Sequence, residues 1–80
     1  VNMKKLEQEL EKIYRLDFAD VCLDSDGFYE FYEVDLYFLI GGLHIGTRIS
    51  KKSVENSSFE QIVNELCRGF DSVILGKYKR

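Results

Sequence analysis

The strongest constraint on what this chain can fold into is a stretch dense in aromatic and β-branched residues, Phe28 to Ile40, closed at both ends by glycine turns. Asp26-Gly27 precedes it and Gly41-Gly42 follows it. Gly reaches positive backbone angles at no Cβ cost and Asp tolerates them, so both pairs suit tight hairpins. Before the first turn, Ala19, Val21 and Leu23 alternate with Asp20, Cys22 and Asp24, the two-residue period of a strand with one buried face. After the second, Leu43 to Ser50 returns as a third strand. A three-stranded antiparallel meander is predicted.

The register is testable within the sequence. With Gly41-Gly42 as a two-residue loop, Ile40 faces Leu43, Phe38 faces Ile45, Leu36 faces Thr47 and Val34 faces Ile49. With Asp26-Gly27 treated alike, Val21 faces Tyr32 and Ala19 faces Val34. The two hairpins agree on which face is the core, and a one-residue slip in either would break that agreement. A bulge between Glu30 and Glu33 would reassign part of the opposite face.

On either side the period changes to that of a helix. Met3, Leu6, Leu10 and Ile13 recur at three- and four-residue steps within Met3 to Leu16, with Asn2 placed to cap the first turn and with Glu7 and Glu11 facing solvent. After a polar link, Lys51 to Asn56, a capping box opens a second helix. Ser57 with Glu60 supplies one such box and Ser58 with Gln61 a competing one. Phe59, Ile62, Val63, Leu66, Cys67, Phe70, Val73 and Ile74 then form its apolar stripe, and Gly76 is placed to end it. Gly69 within it costs about 1 kcal/mol relative to Ala, which points to a close approach or a kink. The predicted fold class is α+β: an N-terminal helix, a three-stranded antiparallel β-meander and a long C-terminal helix, with the helices packed on one sheet face.

Composition supports this plan. A chain of 80 residues is read as a single domain over residues 1–80, and 45% hydrophobic with 14% aromatic residues supplies the dense core that so small a domain needs. A disordered acidic tail is excluded by the same figures. Cys22 and Cys67 are too few and too far apart for a disulfide framework or a four-ligand zinc site, and are read as reduced thiols of a cytoplasmic protein. No apolar run approaches a membrane span, and the first residues lack the apolar block of a signal peptide.

Functional residues are sought on the sheet face that the helices leave uncovered. The predicted register places Asp20, Cys22, Asp24, Tyr29, Phe31, Glu33, Asp35, Tyr37, Leu39, His44 and Arg48 there. One reading is an interaction site, because such a mixture of acids and aromatics marks partner-binding surfaces. The other is the ordinary solvated face of an antiparallel sheet, held by cross-strand pairs such as Asp35 with Arg48. Charge is segregated in favour of the first. Residues 16–47 hold seven acids and no Lys or Arg, whereas the rest of the chain holds seven acids and eleven bases, in a net charge of -3. Asp20 and Glu33 fall opposite each other, a repulsion expected where function overrides stability.

Catalytic and metal motifs are weaker. Asp24-Ser25-Asp26-Gly27 with Glu33 mimics part of a calcium loop, but the first ligand would be Cys22 and the flanks are strands, so a hairpin turn explains it better. His44 has no Ser-His-Asp or Cys-His companion by spacing and reads as an exposed polar residue. Asp20, Glu33 and Asp35 would need a lysine or phosphate loop beside them to run Mg²⁺-dependent phosphoryl transfer. Arg48, Lys51, Lys52 and Lys77-Tyr78-Lys79-Arg80 are read as a solvated link and tail, and overall acidity argues against nucleic acid as the primary ligand. Asn56-Ser57-Ser58 is a glycosylation sequon in form only. Cys67 belongs to the buried stripe, whereas Cys22 is outward and open to reaction. No enzyme, metal or cofactor is expected.

In size, acidity and element order, and in the run Glu55-Asn56-Ser57 before the last helix, the chain resembles small phage-encoded anti-CRISPR proteins. The resemblance spans most of the chain. It implies a DNA mimic occupying the DNA-reading cleft of its target, and it transfers no binding residue. The function expected is therefore a small acidic protein-binding module from a phage or mobile element, an inhibitor of a host nucleic-acid-binding protein with a basic surface. Asp20, Asp24, Glu33 and Asp35 supply its anionic contacts, and Tyr29, Phe31 and Tyr37 its apolar anchors. The alternative is a structural homodimer joined face to face through Phe31, Tyr37 and Leu39.

Overall fold

A computed structural model describes residues 2–78, with side chains as far as residue 75. Its elements run α1 (Met3–Ile13), β1 (Leu16–Ser25), β2 (Glu30–Phe38), β3 (His44–Ser50), α2 (Lys51–Glu55) and α3 (Phe59–Tyr78). The strands form one antiparallel sheet in the order β1-β2-β3. The predicted α+β plan is the observed one. Leu6 and Leu10 of α1, Val54 of α2, and Ile62, Val63, Leu66 and Phe70 of α3 share one buried cluster with Ala19, Val21, Tyr32, Val34, Leu36, Ile45 and Ile49 of the sheet. All three helices thus cover the same sheet face.

Both hairpins are longer than predicted. Val21 pairs with Val34 and Ala19 with Leu36, while Leu36 pairs with Ile45 and Val34 with Thr47, so each register differs by two residues from the two-residue-loop expectation. The first connection is Asp26 to Tyr29. There the Asp26 carboxylate accepts from the Phe28 and Tyr29 amides at 2.9 and 3.2 Å, closing a side-chain-supported turn where a bare two-residue loop was expected. The second is Leu39 to Gly42, with Gly41 and Gly42 at φ +77° and +62° and the Phe38 amide donating to the Leu43 carbonyl at 2.9 Å. A shift of two keeps every side chain on its predicted face because the strand period is two. Alternation through β2 is unbroken, and the irregularity in pairing falls at Leu16/Phe18 instead.

Helix boundaries differ in instructive ways. Asn2 caps α1 as predicted, accepting from the Lys5 amide at 3.1 Å, but α1 stops at Ile13 because Leu16 already pairs with Phe38. The supposed link after β3 contains α2, capped by Ser50, whose hydroxyl accepts from the Ser53 amide at 3.1 Å, and its Val54 enters the core. Of the two capping boxes, Ser58 with Gln61 forms, the Ser58 amide donating to the Gln61 side chain at 2.8 Å and the Gln61 amide to the Ser58 hydroxyl at 3.2 Å. α3 then continues through Gly69 and past Gly76 to Tyr78, since glycine permits a left-handed stop without imposing one. Lys79 and Arg80 lie outside the described residues. At Gly69 a Cβ would meet only the Thr47 hydroxyl, at an ordinary 3.8 Å.

Tyr14 ties α1 to α3. Its ring meets Phe38 and Phe70 edge-on with centroids 6.1 Å away, and its hydroxyl donates to the Asp71 carboxylate at 2.6 Å. Burial together with that bond holds the Tyr14 hydroxyl protonated far above the usual tyrosine range. Burial likewise pushes the Cys67 thiol up.

Glu7 and Glu11 do not simply face solvent. The Glu7 carboxylate accepts from the Val21 amide at 3.0 Å, and that of Glu11 reaches the Ala19 amide at 3.5 Å. β1 is an edge strand, and these amides point away from β2, so α1 caps an edge that would otherwise template further strands. Among the described residues no helix is long and apolar enough to cross a membrane. Replacing both carboxylates, Glu7→Ala with Glu11→Ala, is expected to cost about 1–3 kcal/mol in urea unfolding and to increase aggregation, while Glu7→Gln alone costs less because an amide oxygen still accepts.

Candidate functional site

The pairing arranges the uncovered face as four rows across the three strands: Phe18-Tyr37-His44, Asp20-Asp35-Gly46, Cys22-Glu33-Arg48 and Asp24-Phe31-Ser50. Asp20 thus lies opposite Asp35, not Glu33, and Arg48 lies opposite Glu33, not Asp35, a consequence of the two-residue shift. The Arg48 Nε approaches the Glu33 carboxylate at 3.8 Å. Asp35 instead takes His44, whose Nε2 lies 2.8 Å from its Oδ1.

The first row is a stack of rings. Phe18 and Tyr37 are 4.3 Å apart at 18°, and Tyr37 and His44 are 4.4 Å apart at 7°. Phe18 is not among the residues the alternation from Ala19 onward predicts for this face; it lies one step before the series 20, 22, 24, which extends to it in the structure. Both faces of the Tyr37 ring are taken, so it presents an edge. His44, expected to be a lone polar residue, is held by stacking and by Asp35. Gly46 leaves the room that this arrangement needs, for a Cβ there would lie 2.5 Å from Asp35 Oδ1.

At the other end Phe31 is not an exposed anchor. It is only 2% exposed although it lies outside the main core cluster. The Arg48 guanidinium sits over its ring at 4.3 Å and Tyr29 leans against it at 5.5 Å. Burial of an outward aromatic under a long cationic side chain is invisible to a two-residue alternation, which assigns faces and not coverings. Tyr29 is exposed beside the turn, Leu39 is exposed in the β2–β3 turn and off the sheet, and Asp20 and Asp24 are exposed on β1. Of the three residues expected to join a face-to-face homodimer, Phe31 is thus covered on the open face by Arg48, Leu39 lies in the turn, and Tyr37, half-buried in the ring row, alone remains open on that face.

Electrostatics follow the rows. Removal from water, and then the surrounding Asp20, Glu33, Asp24 and Asp35, push the Cys22 thiol above its ordinary range. Cys22 lies on β1, two rows from His44 on β3, so no thiol–imidazole pair forms. The Asp26 carboxyl is held below its usual range by the Phe28 and Tyr29 amides. Those bonds engage Oδ1 of Asp26, and Oδ1 of Asp24 accepts from the Ser25 amide at 2.8 Å. Among the described residues no group of three or more His, Cys, Asp and Glu side chains is arranged to hold a metal ion. The face presents carboxylates, a ring edge, an imidazole and one arginine.

Comparison with protein-family models, curated proteins and solved structures finds no match to this chain.

Two outcomes are expected. Gly46→Ala places a methyl against the Asp35 carboxylate, which must turn aside, so it releases His44 and changes the His44 ring shifts in NMR spectra, while thermal stability changes by less than about 1 kcal/mol because only a side-chain end has to move. Cys22 reacts with iodoacetamide more slowly at neutral pH than an unperturbed thiol, because a raised pKa leaves less thiolate. Asp20→Asn speeds the reaction and moves the midpoint of its pH profile down.

Proposed function

We propose that the chain is a small acidic protein-binding module, which uses its open sheet face to inhibit a nucleic-acid-processing protein. The observation that carries this reading is Asp20 standing directly opposite Asp35 on an uncovered face, within residues 16–47 that hold acids and no Lys or Arg. Like charges facing each other across strands cost roughly 0.2–1 kcal/mol, a penalty that a solely structural sheet has no reason to keep. Asp20 and Asp24 take part in no ion pair among the described residues and supply the freest anionic contacts. Glu33 and Asp35 extend the negative surface, and Tyr29 is its exposed aromatic anchor. Phe31 and Tyr37 stiffen the platform from within.

The partner class is a host protein with a basic nucleic-acid-binding surface, met in the cytoplasm, with the acids standing where phosphates would. The anti-CRISPR-like resemblance supports a phage or mobile-element origin and a DNA-mimic mode. No catalytic step is assigned to the module.

The test is a pull-down from bacterial lysate with the tagged chain, at low and high salt, with duplex DNA as competitor. The expected result is retention of a nucleic-acid-binding protein that is released by salt and by duplex DNA. Asp20→Lys with Asp24→Lys should weaken it about tenfold or more while circular dichroism stays unchanged. Retention indifferent to DNA and to both reversals, or no retention, would overturn the reading.

A further inference from the structure

The end of the molecule at which β2 turns into β3 is apolar without being buried. Ile40 is 80% exposed and Leu39 63%, side by side in the Leu39–Gly42 turn. The turn is held in place. The Phe38 amide donates to the Leu43 carbonyl at 2.9 Å and the Leu39 amide to the Arg15 carbonyl at 3.3 Å, which brings Arg15, itself exposed, beside the turn. A shallow cavity of about 260 Å³, lined by Arg15, Phe38, Ile40, Leu43 and Ile74, joins the turn to the end of α3, where Leu75 is 67% exposed. The charge of this end is opposite to that of the open face. Residues 36–43 and 72–80 contain no Asp or Glu, and the second stretch carries Lys77, Lys79 and Arg80. Covalent connection alone keeps those three within about 18 Å of Leu75. Of the acids that adjoin these stretches in the chain, Asp71 is engaged by the Tyr14 hydroxyl and Asp35 by His44, which leaves exposed Asp17 against Arg15 and the three tail bases.

We propose that this end docks on an anionic bilayer surface, with Leu39 and Ile40 entering the boundary between headgroups and acyl chains while Arg15 and the basic tail meet the anionic headgroups. Two forces act together: burial of the aliphatic side chains, and attraction of about 1 kcal/mol for each base near the surface. A bilayer suits this end better than a protein partner does. Two or three projecting side chains fall far short of the roughly 800 Å² per partner of a standard protein interface, whereas a lipid surface demands no complementary shape. The docking is peripheral, since no helix among the described residues is long and apolar enough to cross a membrane. The ring row Phe18-Tyr37-His44 stands between the turn and the first carboxylate row, and so keeps the acids of the open face back from the lipid. The proposal stands independently of the inhibitor reading, which uses that face.

The experiment is co-sedimentation of the intact chain with vesicles of phosphatidylcholine, alone or with about a third phosphatidylserine, at about 0.1 M and about 0.5 M salt. The expected result is binding to the anionic vesicles only, weakened at the higher salt. Leu39→Ser with Ile40→Ser should lower the affinity about tenfold or more and leave thermal unfolding unchanged, because both side chains are exposed. Lys77→Ala with Lys79→Ala should lower it about tenfold. The chain has no Trp, so Ile40→Trp supplies a reporter whose emission shifts to the blue and is quenched by brominated lipid on binding. Equal binding to both kinds of vesicle, or none to the anionic ones, overturns the proposal. So does binding that the serine pair leaves unchanged, or a tryptophan that stays in water, and this last readout needs no variant that loses affinity. Self-association of the chain that the serine pair abolishes, without vesicle binding, would assign the patch to a second copy and overturn the proposal too.

Discussion

Val34 and Leu36, both 0% exposed between the sheet and its helices, anchor the central strand, and the rest of the molecule is arranged around their burial. Each strand has only two faces, so fixing these residues inward turns Phe31, Glu33, Asp35 and Tyr37 outward together. Their cross-strand partners inherit the same assignment. The helices follow, since Leu6, Leu10, Ile62, Leu66 and Phe70 find apolar surface on one side of the sheet alone. Among the described residues no second layer covers the other side.

The uncovered face is consequently stabilised by local means. Ring stacking across Phe18, Tyr37 and His44 braces one end, and the Arg48 guanidinium over Phe31 closes the other. Between them the carboxylates are only partly compensated: Asp35 by His44, Glu33 at long range by Arg48. Negative charge is thereby concentrated on the uncovered face. The edges show the same economy. α1 contributes carboxylates to β1 as well as apolar side chains to the core, so one helix serves both purposes.

Several elements were legible in the sequence, and each was legible because it depends on neighbours in the chain. The Asn2 cap, the glycine turns, the apolar stripe of α3 and the sidedness of all three strands are local patterns. Register was less accessible. A two-residue loop and a four-residue turn leave identical alternation, and only the Asp26 side-chain bonds and the Phe38–Leu43 contact distinguish them. The sidedness of the strand residues was therefore legible, but Tyr29 and Leu39 fall in the turns, Phe31 is buried, Phe18 joins the face unannounced, and the pairs were mismatched: Asp20 with Glu33 in place of Asp35, Arg48 with Asp35 in place of Glu33. The helical turn at Lys51–Glu55 was hidden by its polar composition, since Val54 alone enters the core.

By itself the sequence determined the element order, the buried side of each strand and the segregation of charge, because periodicity and turn chemistry act over a few residues. Only the tertiary structure decided what lies beside what. It bent Glu7 and Glu11 onto a strand edge, placed Arg48 over Phe31 and left Gly46 to make room for Asp35. Those contacts join residues far apart in the chain, and their existence depends on how strands slide past one another in steps of two, a displacement to which side-chain alternation is blind.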